Sequence, residues 1–314
     1  MANELRFVGC QIALVCGALA AGLPWPVATG LGAAAVVLLA VSVARLRGEW
    51  LSTMLAARLG HQLRRRTHDV GSPEHEPEAL FDLLAPEGRL LTAGLGDRSA
   101  GLHSGPSGLA VVLRPDLTSD LLSFEAEGMT GRLVLHAGPV RDRAPRGWLA
   151  IRAQRDCAVF DDDVLLAMLT NTVRRRFRGV DVLSEKDVRS TVVALTHTGS
   201  GRGLLHESWA FWRAGSVVQS GFRLAGFGRT GDARWPLLRE LLDAAPGVAL
   251  TAAVTTGPDG GAVLRIATTT HTAITSAATE LSHVCARRGV RLERLDGRHA
   301  SAVAATLPIG GGSL

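Results

Sequence analysis

The chain has 314 residues, 46% of them hydrophobic, with a formal charge of +5 and a pI near 9.8. The apolar excess lies mostly before Val43, so the remainder has the balance of a globular protein long enough to bury a core. Basic residues gather directly after the apolar N-terminus, at Arg45, Arg47, Arg58 and Arg64-Arg65-Arg66, which argues for a membrane flank and against a nucleic-acid interface.

Phe7 to Leu23 is apolar except for Gln11, and Val27 to Val43 is apolar except for Thr29 and Ser42. Each stretch sits at the short end for a helix that crosses a bilayer. Pro24-Trp25-Pro26 separates them: the prolines break the helix, and Trp25 suits a membrane–water interface. The pair reads as a transmembrane hairpin over 1–47. Arg6 before it and Arg45 and Arg47 after it place both termini in the cytoplasm by the positive-inside rule. A secretory signal cut near Ala18-Leu19-Ala20 is one alternative, weakened by Glu4 and by the second apolar stretch. A buried hairpin of a soluble protein is another, weakened by the lack of a polar face.

Residues 48–78 read as a connector. Trp50, Leu51, Met54, Leu55, Leu59 and Leu63 recur at helical spacing, so a helix continues from the second crossing, against headgroups, against a partner helix, or as a plain connector. Trp50 is a second interfacial residue. Thr67 to Glu78, with Gly71, Pro73 and Pro77, reads as a linker.

Residues 79–314 read as a cytoplasmic α/β domain, divisible near 79–205 and 206–306. Gly108–Leu113, Gly131–Leu135 and Gly147–Arg152 are predicted strands. Val164 to Phe177 is a predicted helix opened by Asp161 to Asp163, and Ser184 to Asp187 is a capping box. Trp209–Trp212 and Val217–Phe227 are paired strands, and Arg234–Ala245 a helix. Val248–Thr256 and Ala262–Thr269 form a hairpin about Gly257 to Gly261. Ala273–Arg288 is a helix ended by Gly289, and Val290–Leu295 a last strand. The fold class is thus membrane-anchored α/β (α+β) with a ferredoxin-like βαββαβ C-terminal part. Leu307 to Gly312 reads as a flexible tail.

Motifs for chemistry are sparse. Gly199 to Gly203 lacks the ending of a P-loop and the spacing of a dinucleotide loop. Asp161-Asp162-Asp163 could hold a divalent metal, yet aspartates are also favoured at a helix start. His206-Glu207 does not continue to H-E-x-x-H, and no triad is recognisable. Cys10, Cys16, Cys157 and Cys285 lack C-x-x-C spacing and read as buried free thiols. Arg174, Arg175, Arg176 and Arg178 are a candidate partner or lipid contact, or the solvated end of a helix.

The hairpin, the basic connector, the α/β region, the run Arg234-Trp235-Pro236-Leu237-Leu238-Arg239-Glu240-Leu241-Leu242 and the close Ala304-Ala305-Thr306-Leu307-Pro308-Ile309-Gly310-Gly311-Gly312 together resemble EccE. EccE is a membrane component of the type VII (ESX) secretion system. The resemblance covers the whole chain as an architecture. It implies a structural, non-enzymatic subunit of an inner-membrane translocation complex, with EccB, EccC and EccD types and membrane lipid as partners. It implies no catalytic residue, cofactor, metal, nucleic acid or small-molecule substrate. Two other readings compete: a membrane-bound, glycosyltransferase-like enzyme using Asp161 and Asp163, and an anionic-lipid or nucleic-acid binder using Arg174 to Arg178.

Overall fold

The computed structural model describes residues 2–21, 23–46, 49–63, 67–69, 76–96, 98–140, 144–155, 161–198, 204–257 and 260–309. They form two units, 1–65 and 66–314.

In the first unit, helix α1 (Ala2–Ala20) and helix α2 (Trp25–Val43) pack on each other. Their facing sides carry small residues: Gly9, Ala13 and Cys16 on α1, Ala28, Gly32 and Ala35 on α2. A Cβ on Gly9 would collide with the Ser42 hydroxyl, so the two helices approach closely there. Pro24 is the N-cap of α2 and Pro26 lies in its first turn, where no N–H is needed. Trp25 therefore belongs to α2 and not to the break. The predicted continuous connector helix is also interrupted: strands β1 (Arg45–Leu46) and β2 (Glu49–Trp50) form a short antiparallel pair before helix α3 (Leu51–Leu63).

The second unit is built on one antiparallel sheet. In chain order come β3 (Thr67–Asp69), α4 (Glu76–Leu84), β4 (Arg89–Leu95), β5 (Arg98–Gly105), β6 (Gly108–Arg114), β7 (Met129–Ala137) and β8 (Arg146–Gln154). Then follow α5 (Asp162–Arg176), β9 (Asp181–Val182), α6 (Glu185–Thr196), β10 (Leu204–Glu207), β11 (Trp212–Ala214) and β12 (Val217–Ala225). The last elements are α7 (Arg234–Ala244), β13 (Ala249–Thr255), β14 (Ala262–Thr268), α8 (His271–Arg287), β15 (Arg291–Arg294) and α9 (His299–Ala305). The sheet order is β3-β10-β11-β12-β14-β13-β7-β8-β6-β5-β4, with β15 beside β12 and β9 beside β6. Helices α5, α7 and α8 cover one face and α4, α6 and α9 the other, so the central strands bury both faces.

The order is a palindrome. β9-β6-β8-β7 in one half mirrors β15-β12-β14-β13 in the other, and the halves join where β7 pairs with β13, Leu133 opposite Val254. Each half ends the same way. α5 and α8 stop before glycines at positive φ, Gly179 and Gly289, and a short strand and a further helix follow. Where the second half has α7, the first has only a 3-10 turn (Ser119–Ser123).

Two expectations need correction. The stretch 67–78 is not linker throughout, since Thr67–Asp69 pairs with β10 and α4 starts at Glu76, which is buried. The tail is not loose through residue 309, since Leu307 and Ile309 are fully buried among α4, α6 and α9. Gly310 to Gly312 lie outside the described residues, as do Arg64 to Arg66, Cys157 and Gly199 to Gly203.

Candidate functional site

Among the described residues one helix, α2, is long and apolar enough to cross a membrane. The apolar part of α1, Phe7–Ala20, is shorter than that. Phe7, Leu23, Val27 and Val43 are all exposed, and Trp25 is 82% exposed. Burial in protein therefore does not explain the apolar surface of α2. Its polar side chains are satisfied within the helix: Thr29 donates to the Trp25 and Pro26 carbonyls, and Ser42 to that of Leu38. Such internal satisfaction is what hydrocarbon demands. Arg45 and Trp50 fall on β1 and β2, and Arg47 lies outside the described residues. On α3 the outward side chains include Met54, Leu55, Leu59 and Leu63, whereas His61 is buried.

The acidic run does not gather ligands. Asp161 is the N-cap of α5 without accepting a side-chain cap bond, and Asp162 pairs with Arg155. Among the described residues no group of three His, Cys, Asp or Glu is placed to hold a metal ion. The basic run splits. Arg176 donates to the Glu125 carbonyl at 2.6 Å and lies over the Phe124 ring, while Arg174, Arg175 and Arg178 are exposed at the C-terminal end of α5. Among the described residues Cys10, Cys16 and Cys285 are free thiols; burial pushes the Cys285 thiol up to about 11 and so keeps it unreactive.

The least expected polar groups are three arginines inside the sheet. Arg265, on β14, is 1% exposed. It donates to the Gln219 side chain at 2.9 Å and to the Leu195 carbonyl at 2.7 Å, near the C-terminus of α6. Gln219 in turn donates to the Thr196 carbonyl at 2.6 Å. Burial lowers the Arg265 pKa to about 9, so it stays charged at neutral pH and meets the negative end of a helix dipole. The other half of the sheet repeats this. Arg152, on β8, donates to the Ile309 carbonyl at 3.2 Å, just past α9, and to the Ser107 hydroxyl at 2.7 Å. Arg132, on β7, donates to the Ala305 carbonyl at 3.4 Å. Burial, then the charge of Arg152, lowers Arg132 to about 10.

Arg132 and Arg152 line a cavity of about 990 Å³ on the face covered by α4, α6 and α9. Its floor is small and apolar (Ala110, Ala150, Ala253, Val263) and its lining includes Thr130, Gly257 and Gly260. The sequence signal for these arginines was a charge inside an apolar strand run, as in Leu264-Arg265-Ile266. It reads as an outward residue unless both faces are known to be covered.

No family model matches this chain, and no curated protein matches it.

Proposed function

We propose that the chain is a membrane-anchored, non-enzymatic scaffold subunit of an inner-membrane type VII secretion complex, of the kind that EccE supplies. The observation that carries the membrane half of this reading is α2, an apolar helix of 19 residues whose polar groups are satisfied internally. In this reading α1 is the second crossing, held to α2 by the seam of small residues, and both termini are cytoplasmic. The exposed Met54, Leu55, Leu59 and Leu63 of α3 suit a seat at the headgroup boundary, with Arg58 beside them. The order β15-β12-β14-β13, with α7 and α8 on one face, supports a ferredoxin-like βαββαβ unit in the second half. The second unit then offers the surface on which EccB-, EccC- or EccD-type partners dock.

The test is recovery of the native protein from its own membranes in gentle detergent, after crosslinking, with mass spectrometry of its companions. An EccC-type ATPase together with EccB or EccD supports the assignment. A solitary protein rejects it. Release from the membranes by an alkaline carbonate wash would reject the anchor itself.

A further inference from the structure

The two halves of the sheet end their long helices alike, and one of those ends is left without a counter-charge. In the second half α8 runs out at Arg287 and Arg288, and Glu240 of α7 pairs with both. The first half has a 3-10 turn in place of α7, so α5 runs out at Arg174, Arg175 and Arg176 with no such carboxylate over it. Arg176 is held by the Glu125 carbonyl and the Phe124 ring. Among the described residues the side chains of Arg174, Arg175 and Arg178 form no ion pair and no hydrogen bond, and all three are exposed. Arg98, on β5, joins them: it donates to the Val180 carbonyl at 2.8 Å and is itself exposed. Arg174 reaches the turn between β4 and β5, its Cδ 3.9 Å from where a Cβ on Gly96 would stand. Four guanidiniums thus gather where the end of α5 meets that turn. Asp181 borders the cluster and stands opposite Arg114 of β6, and Asp97 lies outside the described residues. The four cations outnumber these two acids.

We infer that Arg98, Arg174, Arg175 and Arg178 form a contact for anionic phospholipid headgroups, a second hold on the membrane besides the anchor. The inference rests on α2 as that anchor and on no secretion partner. A helix dipole suits cations in the last turn of α5, but it does not account for Arg98 on a neighbouring strand. Like charges this close repel, and a surface of phosphates relieves the repulsion while matching the planar forks of the guanidiniums. The tether supplies the surface. The second unit begins at Thr67, and residues 44–66 alone lie between it and α2. Thirteen of them are in α3, so the chain keeps the unit within tens of ångströms of the bilayer. The cluster offers a protein partner charge and little else. Among the described residues the large exposed apolar side chains of the second unit are Leu91, Val140, Val164 and Leu204, none of them in the β4–β5 turn or the last turn of α5. A stable protein contact is built around such an apolar centre, whereas a headgroup layer asks for exposed charge.

The experiment follows amide exchange by mass spectrometry in the full chain, inserted in nanodiscs of phosphatidylcholine alone or of phosphatidylcholine and phosphatidylglycerol in equal parts. At low salt the amides around Arg98 and from Arg174 to Val180 should exchange several-fold more slowly in the anionic discs. Salt at about 1 M, which cuts the screening length to about 3 Å, should erase the difference. Arg175→Gln alone should weaken the hold about fivefold, the worth of one arginine near an anionic surface. Arg174→Gln, Arg175→Gln and Arg178→Gln combined should remove it, and the salt series keeps the test should that chain not fold. Equal exchange in the two discs at low salt overturns the inference, and so does protection that outlasts the three substitutions or high salt. Equal exchange in the discs with protection in native membranes, where the chain keeps its companions, assigns the cluster to an acidic protein and rejects lipid. Insertion into the neutral discs is read first. Were the chain not to insert, the same comparison with vesicles of the two compositions reads the cluster alone, so the anchor and the cluster fail separately.

Discussion

His103, on β5, is 5% exposed, and neither of its ring nitrogens has a hydrogen-bond partner. It packs beside Phe81 of α4, ring centroids 6.5 Å apart, and over Gly88. Burial, and then the nearby Arg152 charge, hold its pKa down to about 4. In an unfolded chain an imidazole titrates near about 6.5. Between those values the unfolded state takes up a proton that the native state refuses. The contribution of His103 is therefore full above about pH 6.5 and is lost as pH falls toward 4, by on the order of 3 kcal/mol. His197, held to about 3 by burial and then by Arg265 and His136, steepens the same loss. Melting temperature measured across that range should drop, and His103→Leu, which sacrifices no hydrogen bond, should flatten the drop; an unchanged slope would refute the assignment. Arg265 makes the opposite case, because its bonds are specific. Arg265→Met leaves the Leu195 carbonyl and the Gln219 Oε1 without the bonds Arg265 gives them in the interior, at a cost of about 2–4 kcal/mol. Arg265→Lys should recover little of it, since an ammonium cannot span both acceptors. Thermal unfolding of the two variants compares them directly.

Helix α6 shows how much of an element a sequence can carry. The Ser184 hydroxyl accepts from the Asp187 backbone N–H, and the Asp187 carboxylate accepts from the Ser184 backbone N–H, which is the capping box read from the sequence. Ser184→Ala should cost about 1 kcal/mol, read as a lower denaturant midpoint. The start of α6 is also fixed from outside. A Cβ on Gly101 would come 2.7 Å from the Glu185 backbone, and the Gly101 N–H donates to the Leu183 carbonyl at 2.8 Å. Gly101→Ala must push α6 off β5, so it should destabilise more than the lost cap, and a change equal to or below that of Ser184→Ala would contradict the close approach. The strands from Gly108, Gly131 and Gly147 and the helices from Arg234 and near Ala273 were legible because apolar runs and glycine stops mark them. β4, β5 and α9 were not. The β4 stretch mixes polar and apolar residues on an outer edge, and α9 is a short alanine-rich turn whose burial comes wholly from its neighbours. Trp209 to Phe211 reads as strand by aromatic content, but Ser208 bonds the Phe211 backbone into a turn, and the strand starts only at Trp212.

At the scale of the second unit, pairing is the part that sequence pattern cannot supply. The central strands announce themselves by local residues, whereas the junction of β7 with β13 joins segments more than a hundred residues apart and depends on which edges are left open after each half folds. The palindromic order gives the arginines their logic. α6 follows the first half and its end is held by Arg265 of the second; the segment after α9 follows the second half and is held by Arg152 of the first. Reciprocal clamping makes the end of the described chain part of the core, where the run of Leu307-Pro308-Ile309 into three glycines suggested slack. Leu307 and Ile309 are 0% exposed and lie with Leu80, Val192 and Trp212 in one apolar cluster. Replacing either by alanine should cost about 2–4 kcal/mol, the usual price of a buried aliphatic cavity. A chain cut after Thr306 loses both residues and the Ile309 carbonyl that Arg152 holds, so its loss should exceed either single substitution. Amide exchange locates the effect: protection should fall in α4 and α6, whose side chains share the cluster, and persist in α7 and α8, which cover the opposite face. A truncated chain with native protection throughout would show that the tail only lies on the unit. Uniform loss on both faces would show that the two faces unfold as one, with the β7–β13 junction transmitting the damage.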